Sequence, residues 1–174
     1  MAARVAYLGL GSNVGDRRAH LAAALEALRR RGVEVREVSS LYETEPVGEV
    51  MEQREFLNAV ARIVTDLDPD ALLDMCKAIE VERGRTLGGQ RHGPRPLDLD
   101  LLLVGDLELR TARLTLPHPG VTSRRFVLEP LLEVGPELTL PNGVRLRDAL
   151  GDLGPGQRVA RIEAPGWGER GTES

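Results

Sequence analysis

The sequence has little or none of several features that mark particular classes of protein. It contains one cysteine, Cys76, among 174 residues, so an internal disulfide cannot form and we expect a reducing, cytoplasmic environment. No apolar run approaches the roughly 20 residues that a membrane-spanning helix needs. The phosphate-binding loop GxxxxGKS/T is also absent, which excludes that type of nucleotide site.

Aromatic side chains are scarce, and the overall charge is acidic. Two tyrosines, two phenylalanines and one tryptophan make up 3% of the chain, so leucine, valine, isoleucine and alanine must build the core. Acidic residues outnumber basic residues by 27 to 23, and the resulting charge of −4 argues against binding nucleic acid through overall charge. We expect neither nucleic acid nor a membrane as a partner, and we expect a monomer.

Apolar periodicity predicts four strands and two helices before residue 105. Asp16 and Asp68-Pro69 indicate helix starts, because aspartate caps free backbone amides and proline suits the first helical position. In order, the predicted elements are a strand at 4–10, a helix at 16–32, strands at 33–42 and 56–64, a helix at 68–84 and a strand at 97–104. This order predicts an α+β, ferredoxin-like sandwich whose helices cover one side of a mainly antiparallel sheet.

Three smaller features are predicted beyond residue 104. Gly105-Asp106 is expected to turn the chain into a hairpin with 107–110, and a short helix is expected from Thr122 or Ser123 until Pro130. Pro141-Asn142-Gly143, between apolar runs, predicts a hairpin turn.

The chain is predicted to form one domain over residues 1–150. Residues 151–174 are rich in glycine, proline and charge, which predicts a loosely ordered tail. Residues 44–54 and 86–96 lack periodicity and are expected to be loops that could close over a ligand.

Asp98 and Asp100 are the sharpest chemical feature. Side chains alternate across a strand, so both carboxylates project on one side while Leu97, Leu99 and Leu101 project on the other. A hard divalent cation would relieve their mutual repulsion, and Mg²⁺ commonly uses one or two carboxylates together with substrate phosphates. The alternative is that the two aspartates are an ordinary solvated strand face.

The surroundings of the aspartates are basic. Seven arginines stand against four acidic residues between Gly84 and Arg125, a charge of +3 within an acidic chain. Guanidinium groups match phosphate oxygens bidentately, so this pattern is expected for a metal-bound polyphosphate. His118, between two prolines, could add a donor, although a surface histidine without a role would look the same.

Two of the few aromatic residues lie beside polar ones. Phe56 precedes Asn58 by two residues, and Phe126 follows Arg124 by two. Two rings could sandwich a flat heteroaromatic substrate while Asn58 and loop backbone groups supply hydrogen bonds. The alternative is that both phenylalanines are core residues.

The chain resembles the 6-hydroxymethyl-7,8-dihydropterin pyrophosphokinase family of folate biosynthesis from about Val5 to Leu150. The motifs that carry the resemblance are GLGSNVGD at 9–16, SSLYETEPVG at 39–48, FLNAV at 56–60, IEVERGR at 79–85, RHGPRPLDLDLLL at 91–103 and LPHPGVTSRRFVLEPL at 116–131. The resemblance implies a magnesium-dependent transferase that moves pyrophosphate from ATP to the pterin hydroxymethyl group and releases AMP.

The resemblance also implies roles for individual residues. It implies two Mg²⁺ ions held by Asp98 and Asp100, and catalysis by these aspartates with Arg85 and Arg95. The residues implied at ATP are Lys77, Glu80, Arg85, Arg91, Arg95, Thr115, His118 and Arg124. The residues implied at the pterin are Thr44, Val47, Phe56, Asn58 and Phe126, with Thr44 and Val47 acting through their backbone.

Two other functions stay open at this point. A metal-dependent nucleotide hydrolase could use the same aspartates with water as the acceptor. A noncatalytic RNA-binding module could use the same fold, although exposed sheet aromatics for base stacking are lacking.

Overall fold

A computed structural model describes residues 3–44, 55–84, 96–154 and 159–168. Its strands are β1 (Arg4–Ser12), β2 (Glu34–Val38), β3 (Leu41–Thr44), β4 (Phe56–Thr65), β5 (Asp98–Val104), β6 (Leu109–Arg110), β7 (Thr115–Leu116) and β8 (Val159–Glu163). Its α-helices are α1 (Arg17–Arg30), α2 (Pro69–Glu82), α3 (Arg125–Val134) and α4 (Leu146–Asp152), with short 3₁₀ helices at Pro119–Val121 and Pro165–Gly168. None of the helices in these ranges is both long and apolar enough to cross a membrane.

The starts of α1 and α2 confirm the capping prediction. The Asp16 side chain accepts a hydrogen bond from the Ala19 amide at 3.0 Å, and Asp68 accepts from the Ala71 amide at 2.9 Å. Each carboxylate satisfies an amide that has no partner within its helix and also lies at the positive end of the helix dipole.

The main sheet is antiparallel, as predicted. Its strands lie in the order β5-β1-β4-β3-β8, and β2 pairs with the other half of the long strand β4. The first six predicted elements are therefore present in order, and the α+β assignment is confirmed. A separate two-stranded sheet joins β6 to β7, so the predicted hairpin between 97–104 and 107–110 is wrong.

Helices cover both faces of this sheet, which corrects the prediction of one covered side. One apolar cluster joins α1 and α2 to the face that includes Ala6, Leu8 and Leu10 of β1. A second cluster joins α3 and α4 to the opposite face, which includes Tyr7. The second layer was missed because Pro130 was expected to end its helix.

Pro130 instead lies inside α3, which is longer than predicted. A proline removes one backbone hydrogen bond within a helix. Leu128, Leu131 and Val134 are nonetheless buried on one face of α3, and this packing outweighs the lost bond. The predicted turn at 141–143 is confirmed, because the Gly143 amide donates to the Leu140 carbonyl and Thr139 bridges to Arg145.

The predicted strand at 33–42 is two strands, with Ser39 and Ser40 between them. Both serines are fully buried. The Ser39 hydroxyl oxygen accepts the Val60 amide at 2.9 Å, and the Ser39 amide donates to the Val60 carbonyl at 2.8 Å. A side chain thus replaces one rung of the backbone ladder, and the strand direction changes there without leaving buried polar groups unpaired.

Part of the predicted tail is ordered. Strand β8 pairs with β3 along the sheet edge. Trp167 is 4% exposed, and its indole nitrogen donates to the Ser39 carbonyl at 2.8 Å. The expectation of a loosely ordered segment is therefore wrong for residues 159–168, because buried aromatic surface and a strand ladder hold them.

Candidate functional site

The register of three neighbouring strands places the two aspartates on the face that α3 covers. Asp98 and Asp100 of β5 lie opposite Gly11 and Gly9 of β1. Directly paired residues of an antiparallel sheet project on the same face, so the carboxylates lie above the backbone of two residues without side chains. Leu99, between them, projects into the opposite apolar layer.

A cavity of about 270 Å³ lies over these glycines. It is lined by most of the predicted site residues that the structure describes. They are Thr44, Phe56, Asn58, Lys77, Asp98, Asp100, His118, Arg124 and Phe126. These residues come from three strands, two helices and one short turn, so the fold brings together positions that are up to 82 residues apart.

Gly9 and Gly11 form the floor of the cavity, a role that was not predicted from the sequence. A Cβ atom added at Gly11 would lie 3.0 Å from the Asn58 amide oxygen and 3.7 Å from the Phe56 ring. Glycine inside a strand often marks a close approach of a ligand or another chain segment. The signal was available in the alternation of leucine with glycine in LGLG at 8–11.

The electrostatics of the aspartate pair suit a cation. The pKa of Asp100 is raised from its ordinary value to about 7, first by burial and then by the neighbouring carboxylates of Asp98 and Glu80. Water reaches the Asp100 side chain through the cavity, yet protein atoms surround it closely enough to disfavour its charge. Two acidic groups that repel each other and face a cavity gain stability when a divalent cation binds them.

Glu80 lies behind β5, and among the described residues it is not part of the cavity wall. Its side chain is 1% exposed, and Oε2 accepts the Leu99 amide at 2.7 Å. Lys77 Nζ lies 3.6 Å from Glu80 Oε1 and does line the cavity. Glu80 therefore bonds the strand segment between the two aspartates, while Lys77 supplies a positive charge to the cavity.

His118 presents a defined ring nitrogen. Its Nδ1 accepts the Gly120 amide at 2.9 Å, so the proton of the neutral ring lies on Nε2. Burial first, and then the charge of Arg124, lower the pKa of His118, although Asp98 acts in the opposite direction. The ring is thus a neutral hydrogen-bond donor at ordinary pH.

Phe56, Asn58 and Phe126 form an aromatic and amide group at the end of the cavity away from the aspartates. The Arg124 guanidinium carbon lies 5.9 Å from the centre of the Phe126 ring, within range of a cation–π contact. The Asn58 amide nitrogen donates to Thr44 Oγ1 at 2.7 Å. This bond fixes the amide orientation and leaves the Asn58 oxygen as the acceptor above Gly11.

A second cavity of about 410 Å³ adjoins the first at His118. It includes Thr115 of β7, which does not line the first cavity among the residues described. Because the His118 side chain lines both cavities, it lies between Thr115 in the second cavity and the aspartates in the first. The other predicted residues, Val47, Arg85, Arg91 and Arg95, lie outside the described residues.

Comparisons with known proteins agree on one family. Residues 7–136 match the model of the family described as 7,8-dihydro-6-hydroxymethylpterin-pyrophosphokinase. A 2-amino-4-hydroxy-6-hydroxymethyldihydropteridine pyrophosphokinase of Methylorubrum extorquens is 43% identical over 159 residues, covering 91% of this chain and 98% of that one. The enzyme of the same name from Bacillus subtilis is 46% identical over 131 residues, covering 75% of this chain and 77% of its own.

Solved structures show the same fold. A crystal structure of HPPK-DHPS from Plasmodium falciparum has a TM-score of 0.68 at 16% identity. The match covers 86% of this chain and 45% of that chain. The present chain thus spans less than half of the length of that structure, and the likeness concerns the fold of the shared part.

Proposed function

The chain belongs to the 7,8-dihydro-6-hydroxymethylpterin-pyrophosphokinase family, and from this premise we propose how its cavities bind two substrates and transfer pyrophosphate between them. Pyrophosphate transfer to 6-hydroxymethyldihydropterin, a step of folate biosynthesis, is the activity that the family and its relatives support. The finer proposal is that ATP is the donor, that AMP is released, and that the aspartate pair holds magnesium.

The aspartate pair fits Mg²⁺. The donors are carboxylate oxygens, which hard cations prefer, and both project from alternate positions of one strand into the cavity. Burial and the neighbouring carboxylates raise the pKa of Asp100 because they disfavour its charged form, and a bound cation would stabilise that form. We propose that Asp98 and Asp100 hold two ions, which when bound would neutralise phosphate charge and polarise phosphate oxygens.

The pterin is proposed to occupy the end of the cavity between Phe56 and Phe126. Stacking on aromatic rings suits a flat heterocycle, and the Asn58 oxygen, oriented by Thr44, would accept a ring or amino hydrogen. The absence of side chains at Gly9 and Gly11 leaves room for the ring beside the carboxylates. Val47, predicted to contact the pterin through its backbone, stays a prediction.

The triphosphate is proposed to lie over Asp98 and Asp100 and to reach the second cavity past His118. Lys77 and Arg124 supply positive charge, and His118, whose pKa is lowered by burial and by Arg124, donates from Nε2. Thr115, in the second cavity, would then lie near the nucleoside part of ATP. Glu80 is proposed to act on ATP indirectly, through the backbone of Leu99.

The transfer itself requires little covalent chemistry from the protein. The cavity would align the pterin hydroxyl with the β-phosphorus, so that a new phosphorus–oxygen bond forms as the bond to AMP breaks. Arg124 and Lys77 would stabilise the charge that develops on the phosphates. Arg85, Arg95 and Arg91 are predicted to share this role.

The cavity that holds two carboxylates at one end and two phenylalanines at the other is the observation that carries the proposal. The experiment incubates the protein with ATP, Mg²⁺ and the reduced pterin and identifies the products. Asp98→Ala or Asp100→Ala should lower the rate of AMP release on the order of a thousandfold or more. Asp106→Ala, an exposed aspartate in the turn after β5, is the matched control and should keep the parent rate.

The products separate the proposal from its competitor. AMP with pyrophosphorylated pterin supports the transferase, whereas AMP with free pyrophosphate in the presence of pterin would identify a hydrolase. Near-normal rates in either aspartate variant would contradict the metal assignment. A cytoplasmic location, a monomeric state and the lack of nucleic-acid binding stay predictions.

A further inference from the structure

Glu133 of α3 makes a group of hydrogen bonds that the proposed chemistry does not use. One carboxylate oxygen, Oε1, accepts the Ser40 amide at 2.9 Å and the Tyr42 hydroxyl at 2.7 Å. The other, Oε2, accepts the Ser40 hydroxyl at 2.7 Å. Three donors from one short stretch of chain thus converge on a single side chain.

The donors are buried, so their partners matter energetically. Ser40 is fully buried and Tyr42 is 8% exposed. Burial first, and then the hydrogen bond to Glu133, raise the pKa of Tyr42, which keeps its hydroxyl protonated as a donor. Buried donors that lose a charged acceptor leave a desolvation cost uncompensated.

These bonds join the two elements that carry the aromatic and amide end of the cavity. Phe126 lies two turns before Glu133, so both residues occupy the same face of α3. Tyr42 lies directly opposite Asn58 in the sheet, and the same strand, β3, contributes Thr44, which orients the Asn58 amide. The Glu133 carboxylate therefore connects the helix of Phe126 with the strand of Thr44.

Apolar packing alone does not fix this connection. Leu128, Leu131 and Val134 bury another side of α3, but burial of apolar surface is not directional and tolerates small sliding movements. Hydrogen bonds with short, defined distances set the position of α3 along its axis. A displacement of about 1 Å in a binding group is enough to change reactivity strongly.

We propose that Glu133 is a positioning residue for the heterocyclic substrate, acting by fixing Phe126 relative to Asn58 and Thr44 through Ser40 and Tyr42. The proposal rests on the function proposed above, since it concerns the aromatic end of the same cavity. Among the described residues, the carboxylate end receives Asp98 and Asp100 from β5, Lys77 from α2 and His118 from the turn before α3, and only Arg124 comes from the helix that Glu133 holds. The effect of Glu133 therefore falls mainly on one substrate.

The test compares Glu133→Gln with Glu129→Gln. Glutamine keeps the size of Glu133 but has one accepting oxygen instead of two, so at least one buried donor loses its partner. Glu129, one turn earlier on α3, lies 4.0 Å from Arg125 and loses the same charge, and among the described contacts it makes no hydrogen bond to Ser40 or Tyr42. Dissociation constants for the reduced pterin and for ATP with Mg²⁺ are measured by titration calorimetry.

Glu133→Gln should weaken pterin binding about tenfold and ATP binding by less than twofold, as expected for one charged hydrogen bond. Glu129→Gln should change both constants by less than twofold. If Glu133 had a purely structural role, Glu133→Gln would lower the melting temperature and weaken the binding of both ligands to the same extent. The proposal is overturned if, in Glu133→Gln, the loss of affinity for the pterin exceeds the loss of affinity for ATP by less than fivefold.

Tyr42→Phe keeps the proposal testable if Glu133→Gln does not fold. It removes one donor and keeps the ring, so pterin binding should weaken about threefold while ATP binding is unchanged. Combining it with Glu133→Gln should add less than a twofold further loss, because both changes break one connection. An unchanged pterin constant in Tyr42→Phe overturns the proposal. Failure of the parent to bind pterin at all would instead overturn the proposed function.

Discussion

At the scale of single residues, Asp100 links the chemistry of the cavity to the stability of the fold. Its pKa rises from the ordinary value to about 7 in the folded protein, so the metal-free folded state binds a proton that the unfolded chain releases. The stability contribution of this proton is fully present below the unfolded pKa. It is lost as pH rises through about 7.

The first prediction follows from this loss of stability as the pH rises. Without metal, the melting temperature of the parent should fall relative to that of Asp100→Asn as pH rises from about 5 to about 8, because asparagine has no charge to desolvate. Thermal unfolding in a chelator across this range measures the difference. Parallel profiles for the two proteins would mean that the proton affinity of Asp100 is ordinary. Saturating Mg²⁺ should reduce the difference, since the cation stabilises the charged form.

Gly11 supports a second prediction at the same scale. In Gly11→Ala the new methyl group would lie 3.0 Å from the Asn58 oxygen, which is too close, so the amide must move. Pterin binding should weaken about tenfold or more, as measured by calorimetry. Gly151→Ala, in α4 with open space around the added atom, is the control and should bind as the parent does. Equal affinity in Gly11→Ala would mean that Asn58 has room to adjust.

At the scale of elements, the helices that begin with a recognisable cap were predicted from their first residues, whereas α3 was predicted only in part and α4 was not predicted. Asp16 and Asp68 are local signals, and both helices start where they indicate. Helix α3 begins at Arg125 without a side-chain cap from Arg124 and contains a proline, so local rules place its end wrongly. Its stability comes from packing on the far face of the sheet, which no short stretch of sequence reveals.

The third prediction concerns the start of α2. Asp68→Ala removes the acceptor for the Ala71 amide and should lower the free energy of unfolding by about 1 kcal/mol. Urea denaturation measures the change, and Asp66→Ala, a nearby aspartate before the helix, serves as the comparison. A loss in Asp68→Ala no larger than in Asp66→Ala would show that solvent replaces the cap. Pyrophosphate transfer should persist, since Asp68 does not line the cavity.

At the scale of the whole molecule, the sequence predicted which side chains meet but not what supports them. Strand alternation placed Asp98 and Asp100 on one face, and the resemblance placed Phe56, Asn58 and Phe126 together. The glycine floor and the Glu133 bonds depend on pairings between distant strands and helices. Such pairings follow from the register of the complete sheet, which local patterns do not specify.

The fourth prediction tests the ordered part of the C-terminal segment. Trp167 is the only tryptophan, so intrinsic fluorescence reports on this segment alone. Its burial predicts blue-shifted emission and weak quenching by acrylamide. Trp167→Ala should lower the free energy of unfolding by about 3 to 5 kcal/mol.

Ile162→Ala is the matched control for this prediction. Ile162 lies on β8 and is 52% exposed, so its removal should cost less than about 0.5 kcal/mol. A red-shifted, easily quenched emission from the parent protein would show that the segment does not dock in solution.

The pairing of β5 with β1 also restricts how the sequence can change in length. Inserting one residue between Asp100 and Leu101, with the pairing of Leu101–Val104 kept, would exchange the two sides of the preceding part of the strand, sending both carboxylates into the apolar layer and leucines into the cavity. An insertion of two would restore the original orientation of every side chain. Insertions of an odd number of residues within the paired strand would therefore destroy the site, whereas insertions of an even number would only shift it along the strand.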